Sequence, residues 1–162
     1  MADGETRLTL PEVPTAVPER ESASVHNLAP EAASVPEARR LAGEFASGLM
    51  DEGQASKLSL AITEVVANSV RHSGSGEDIR LMLTRKDGYL CVRVIDGGNG
   101  LVPKPGAMAS EPGAGFGLFL VEHLTRRWGM TREDGKTRVW FEIDFVDGDA
   151  TPGPEDLPCD PL

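Results

Sequence analysis

Glu64 and Asn68 stand four residues apart in the segment Leu58-Ser-Leu-Ala-Ile-Thr-Glu-Val-Val-Ala-Asn-Ser-Val70. On a helix that spacing sets two side chains on one face, a turn apart. At about 100° per residue, Leu58, Ile62, Val65 and Ser69 form the core stripe, with Glu64 and Asn68 along its edge. The Asn68 carbonyl oxygen is a neutral hard ligand, suited to a Mg²⁺ that phosphates and water also hold. The Glu64 carboxylate can take a proton from an attacking hydroxyl or water. An exposed Glu followed by an Asn is also ordinary helix surface, so the pair gains weight only from its neighbours.

Asp96-Gly-Gly-Asn-Gly100 directly follows the apolar run Leu90–Ile95. A carboxylate at a strand end can accept a hydrogen bond from the exocyclic amino group of adenine, a donor guanine lacks at that position. Gly98 and Gly100 let the backbone approach a flat base. Asp, Gly and Asn are equally the residues of a plain strand-ending turn. The third cluster, Gly113-Ala-Gly-Phe-Gly-Leu118, closes a loop rich in Gly and Pro and opens a helix. Backbone N–H groups there, freed of nearby Cβ atoms at Gly113, Gly115 and Gly117 and running on through Phe116 and Leu118, can bind phosphate oxygens. A dinucleotide GxGxxG would need Gly at 118, where the chain has Leu, and a strand before it. Gly135-Lys136-Thr137 imitates the end of a P-loop, but the earlier Gly would fall at 130, which is Met.

The elements that must position these clusters are legible in outline. Ser24–Leu28 reads as a short first strand. Ser34-Val-Pro-Glu opens a helix with Ser34 as N-cap and Glu37 at the capping-box position, and that helix reaches about Met50. A second helix runs from Gln54 or Ala55 to His72. Residues 78–96 read as a hairpin turning at Lys86-Asp87-Gly88, with Leu81, Leu83, Leu90, Val92 and Val94 alternating. Leu118 to Trp128 is a third helix, and Thr131–Asp134 with Thr137–Phe145 closes the chain as a second hairpin. Hairpins and grouped helices favour an α+β, two-layer sandwich: a mixed, mostly antiparallel sheet with helices on one face.

Length and composition bound the rest. The chain of 162 residues suits one domain, and its 40% hydrophobic and 26% charged residues suit a packed core. Seven of the 12 prolines lie in residues 1–20 and 151–162, and the final stretch carries five acidic residues and no basic one. The reading is a disordered tail over 1–21, a folded domain over 22–146 and an acidic disordered tail over 147–162. A net charge of −10 disfavours nucleic acid and anionic membrane as partners. The start shows no signal-peptide pattern and no apolar run reaches the length of a membrane span. Cys91 and Cys159 predict neither a disulfide framework nor a metal site, and the setting reads as reducing and cytoplasmic.

Taken in order as helix, strand end and loop-to-helix, the three clusters make the chain resemble the histidine-kinase-like ATPase superfamily. In length and compactness it resembles the bacterial anti-sigma factor serine/threonine kinases of that superfamily. Glu64 and Asn68 match the family's N-box. Asp96, Gly98 and Gly100 match its DxGxG box, and Gly113, Gly115, Gly117 and Leu118 match its GxGxGL box. The resemblance implies a Bergerat-type ATP-binding fold with ATP and Mg²⁺ as cofactors. It implies Asn68 on the Mg²⁺, Glu64 as general base, Asp96 on adenine, residues 113–118 around the phosphates and a mobile lid over 101–112. It further implies a kinase that phosphorylates a serine of an anti-anti-sigma protein and sequesters a sigma factor, and by analogy a homodimer. Two alternatives use the same site: a nucleotide-gated binding module without phosphotransfer, and a slow ATPase with water as acceptor.

Other residues have blander readings. His72 ends a helix near its C-terminal dipole. Trp128 and Trp140 read as core or rim packing, and His123 as a solvated helix position. Arg126-Arg127 reads as a solvated helix end, with an acidic partner surface as the alternative.

Overall fold

The computed structural model describes residues 22–74, 76–98, 116–145 and 159. The elements run in the order β1 (Ala23–Leu28), α1 (Ser34–Phe45), α2 (Glu52–His72), β2 (Ile79–Arg85), β3 (Tyr89–Asp96), α3 (Phe116–Leu124), β4 (Arg127–Glu133) and β5 (Lys136–Asp144). The strands form one sheet in the order β1-β2-β3-β5-β4, and all four pairings are antiparallel. The sheet is therefore wholly antiparallel among the described residues, and the α+β sandwich expected from the sequence is the observed fold.

Strand alternation decides which side is covered. Ile79, Leu81, Leu83, Leu90, Val92, Val94, Val139, Phe141 and Ile143 point to one face and join Leu58, Ile62, Val65, Val66 and Val121 in a single core. The helices pack on that face, so α2 is held by its apolar stripe while its polar edge looks along the sheet. Asp51 caps α2 by accepting the Gln54 N–H at 2.8 Å, which starts the helix earlier than Gln54.

Three local readings are corrected. Ser34 is the first helical residue rather than the N-cap; its hydroxyl donates to Ala29 O at 2.6 Å. Helix α1 stops at Phe45 instead of near Met50, in a turn that needs a left-handed residue, supplied by Gly48 at φ 77°. Helix α3 ends at Leu124, and Trp128 belongs to β4, paired with Phe141. No glycine or proline separates Leu124 from Arg127, so nothing in the local sequence punctuates this change. The closing hairpin turns on Asp134 (φ 53°) and Gly135 (φ 71°), the left-handed pair that a two-residue turn of this twist demands.

The opposite face of the sheet carries a polar cluster. Glu142 on β5 is fully buried and accepts from Arg127 Nε at 2.8 Å and Arg127 Nη2 at 3.1 Å. Arg126 lies over the Tyr89 ring at 4.9 Å and reaches Asp144 at 3.4 Å. The Arg126-Arg127 pair is thus tied to the sheet by ion pairs, which corrects the reading of a solvated helix end. Removing Arg127 leaves a buried carboxylate without its cation. We expect Arg127→Met to cost about 3 kcal/mol, with most of that recovered in the double variant Arg127→Met/Glu142→Leu, read from chemical denaturation.

Gly129 on β4 faces Trp140 across the pair, and a Cβ there would come within 2.6 Å of the indole ring. Gly129→Ala is expected to overpack the contact and lower stability by about 1–3 kcal/mol. A shifted denaturant midpoint with an unchanged slope would check this.

Cys91 and Cys159 form a disulfide, their Cα atoms 6.1 Å apart. Cys159 is buried, which corrects the reading of a solvated residue and of two unrelated cysteines. Their separation of 68 positions, one on a strand and one near the chain end, left no spacing signal to read.

Candidate nucleotide site

Helix α2, the end of β3 and the start of α3 meet at one edge of the core. Glu64 and Asn68 are both half-buried on α2, a turn apart, beside a stripe formed by Leu58, Ala61, Ile62, Val65, Val66 and Ser69. Asp96 is the last residue of β3 and shares the helix-covered face with Leu90, Val92 and Val94. It is only 4% exposed. Its Oδ1 accepts the Gly98 N–H at 2.8 Å, a local turn that fixes the carboxylate's rotation.

Two glycines show how tightly the pieces fit. A Cβ on Gly98 would lie 2.1 Å from the His72 carbonyl oxygen and 2.8 Å from its carbon. The end of α2 and the turn after β3 therefore touch backbone to backbone, a contact only glycine permits. His72 contributes through this carbonyl, while its residue as a whole is exposed at the helix end. A Cβ on Gly117 would lie 2.6 Å from Glu64 Oε2, so the Glu64 carboxylate rests against the first turn of α3.

Thr137 was missed as a site residue by the sequence reading, which met it in a false P-loop and at the start of the closing strand. It is buried on β5 directly opposite Asp96, and its hydroxyl donates to Gly98 O at 3.1 Å. The Asp96–Gly98 turn is thus pinned from three sides: by its own carboxylate, by the end of α2 and by Thr137. A short polar residue on the helix-covered side of a closing strand, facing a strand-end Asp, was the available signal.

The structure brings together Glu64, Asn68, Asp96, Gly98, Gly117 and Leu118 at the junction of these elements. Leu118 is buried in the core and anchors α3. Gly100, Gly113, Gly115, the Phe116 side chain and the lid expected over 101–112 lie outside the described residues.

The arrangement suits an adenine nucleotide with a divalent cation. A buried acceptor sits at one end, and a carboxylate and an amide sit on α2 toward a helix N-terminus rich in glycine. Among the described residues no group of three His, Cys, Asp or Glu could hold a metal by itself. The donors present, the Asn68 oxygen and the nearby Glu64 carboxylate, fit a Mg²⁺ carried in with phosphates rather than a closed protein cage.

Comparison with known proteins settles the family. The profile of the histidine kinase-like ATPase domain matches residues 28–143. The chain belongs to the histidine kinase-like ATPase family. Among solved structures, this ATPase domain is similar to the RsbU and RsbW domains of Rv1364c from Mycobacterium tuberculosis, with TM-score 0.59 and 20% identity. That likeness covers 75% of this chain and 32% of the mycobacterial one, so the chain spans about a third of its relative's length. Weaker likenesses are to the histidine kinase domain of the blue-light activated histidine kinase EL346 of Erythrobacter litoralis (TM-score 0.48, 20% identity, 70% of this chain and 60% of that one). The Acinetobacter baumannii histidine kinase AdeS stands at TM-score 0.48 and 13% identity, covering 75% of this chain and 68% of that one. No curated protein sequence matches the chain. Among the described residues, no helix of the domain is long and apolar enough to cross a membrane.

Proposed function

We propose that this ATPase domain, over residues 22–146, is a cytoplasmic, ATP- and Mg²⁺-dependent serine/threonine kinase of the anti-sigma regulatory type. It would phosphorylate a serine on an anti-anti-sigma partner and sequester a sigma factor. The observation that carries the reading is the Glu64 carboxylate lying against Gly117 at the start of α3. A binding module needs Asp96, Asn68 and the glycines, but has no use for a base at the place where phosphates would meet a helix N-terminus. Family membership and the likeness to an RsbW domain support the branch.

In this reading Asp96 accepts from the adenine amino group, with Gly98 and Thr137 holding it in place. The backbone over residues 113–118 cradles the phosphates, and Asn68 holds the cation. Bound Mg²⁺ would neutralise phosphate charge and orient the terminal phosphoryl group. Glu64 accepts the proton of the serine hydroxyl as its oxygen bonds to the γ-phosphorus, the bond to the bridging oxygen breaks and ADP leaves.

The test is transfer of label from γ-labelled ATP to a candidate anti-anti-sigma protein, with and without Mg²⁺. Phosphoserine on the partner, lost when Mg²⁺ is chelated, supports the kinase. Release of labelled phosphate alone points to water as the acceptor, and neither product, with ATP bound, points to a nucleotide-gated module.

A further inference from the structure

Strand β1 is an edge of the sheet, and no described residue pairs with it on its outer side. The Arg85 N–H donates to Ser22 O at 2.8 Å, so Ser22 and Arg85 are a hydrogen-bonded pair. In an antiparallel ladder such pairs alternate, and the register from Ala23↔Thr84 to Leu28↔Ile79 carries the alternation along the strand. Ser24, His26 and Leu28 therefore turn their backbone groups to β2, while Ala23, Val25 and Asn27 turn their N–H and C=O groups outward. These same three residues are exposed, Val25 at 55%. Sheet edges are ordinarily blunted by charge, proline or a bulge. The other edge, β4, carries Arg127, Arg132 and Glu133. In β1, Ala-Ser-Val-His-Asn-Leu, there is no Lys, Arg, Asp, Glu or Pro, and its 6 residues pair one-to-one with β2 without a bulge.

We propose that β1 receives an extended segment of a partner protein as an added strand, one in which aliphatic and basic side chains alternate. The outward N–H and C=O groups of Ala23, Val25 and Asn27 supply the main-chain bonds. The two sides of the sheet set the alternation. On the outer face the added strand lies beside Val25, whose partner on β2 is Met82, so that side takes an aliphatic side chain. On the helix-covered side it lies beside Ser24 and His26, and His26 is close enough to act electrostatically on Glu37 of α1. Glu37 and Glu44 both bind Arg40, two carboxylates to one guanidinium, and that excess favours a basic side chain. The net charge of −10 draws such a segment from a distance. A second copy suits this edge less well: a two-fold axis at β1 would set α1 beside α1, with the same carboxylate excess on both sides. None of the candidate nucleotide residues lies on β1, so the inference does not rest on the nucleotide reading.

The test adds the end-capped peptide Lys-Val-Lys-Val-Lys-Val to the full chain and reads amide exchange residue by residue by NMR, with affinity from the anisotropy of labelled peptide. We expect the Val25 and Asn27 amides to exchange fast in the free chain and about tenfold or more slowly with peptide, while Ser24 and His26 stay slow throughout. Val25→Pro removes an outward N–H and none that bonds β2, so it should weaken binding about tenfold and leave the His26 amide slow. A peptide N-methylated at alternate residues should lose as much against the unaltered protein, and Glu-Val-Glu-Val-Glu-Val should bind about tenfold less tightly than the basic peptide. Equal binding of the methylated and unmethylated peptides would overturn the proposal, because the contact would not be strand pairing. Slow Val25 and Asn27 amides in the free chain would overturn it too. Sedimentation would then assign the edge to a second copy if the chain is a dimer, or to the chain's own residues if it is a monomer.

Discussion

Glu64→Gln is expected to lower phosphotransfer by about 10²–10⁴-fold, the usual contribution of a positioned general base. Glutamine keeps the length of the side chain and its packing against the first turn of α3, where a Gly117 Cβ would lie 2.6 Å from Oε2. What it loses is the ability to take a proton. The half-buried position on α2 lets the carboxylate face a nucleotide while the neighbouring Val65 and Val66 hold the helix in the core. The loss should therefore appear in kcat, with the KM for ATP essentially unchanged, the signature of an interaction made in the transition state. Steady-state phosphotransfer beside equilibrium nucleotide binding checks this. An undiminished rate in a folded variant would remove Glu64 from the chemistry.

The second large effect is structural. Gly98→Ala is expected to destabilise the domain by about 3 kcal/mol or more and to abolish nucleotide binding, because backbone atoms stand in the way. A Cβ would meet the His72 carbonyl oxygen at 2.1 Å, its carbon at 2.8 Å and Asp96 Oδ1 at 2.9 Å. Neither the end of a 21-residue helix nor the end of a central strand can yield cheaply. At Gly117 the nearest atom is the far end of a flexible carboxylate, which can swing aside. Thermal or urea unfolding of Gly98→Ala, with nucleotide binding measured below its midpoint, separates the two consequences. A variant as stable as the wild type would mean that the turn after β3 does not rest on α2.

What the sequence made legible follows from which forces are local. The second helix and the first hairpin read well because their periods, 3.6 and 2, run for many residues and end at Ser73-Gly74 and at Asp87-Gly88. The family resemblance that the three clusters carry also read well, since order along the chain survives folding. The α3–β4 boundary did not, because Thr125 and Arg126 are not breakers and the change there is imposed by pairing with β5. Thr137, Glu142 and Cys159 were invisible for a common reason. Each takes its role from a partner 17 to 68 positions away: Gly98 at 39, Cys159 at 17 and Cys91 at 68. A charged residue such as Glu142 reads as solvated until its cation partner, Arg127, is known.

The buried cluster on the outer face also shows that the domain's two faces are built differently. One is apolar and closed by helices, and it carries the candidate nucleotide site at its edge. The other carries the Glu142–Arg127 ion pair and the buried cluster of Tyr89, Cys91 and Cys159. On α1, Arg40 bridges Glu37 and Glu44 in solvent, and its hydrogen bond holds the Glu37 carboxyl below the ordinary carboxylate range. That exposed trio adds little to stability, in contrast to the pair at Glu142.

The most direct test of the central claim is binding of a fluorescent ATP analogue, with and without Mg²⁺, to the wild type and to Asp96→Asn. Asparagine can still accept the Gly98 N–H, but it offers an amide donor where the carboxylate offered a second oxygen to adenine. The account predicts Mg²⁺-dependent binding in the wild type, weakened about tenfold to a hundredfold in Asp96→Asn. Binding that is equal in the two proteins, or absent from the folded wild type, would contradict it.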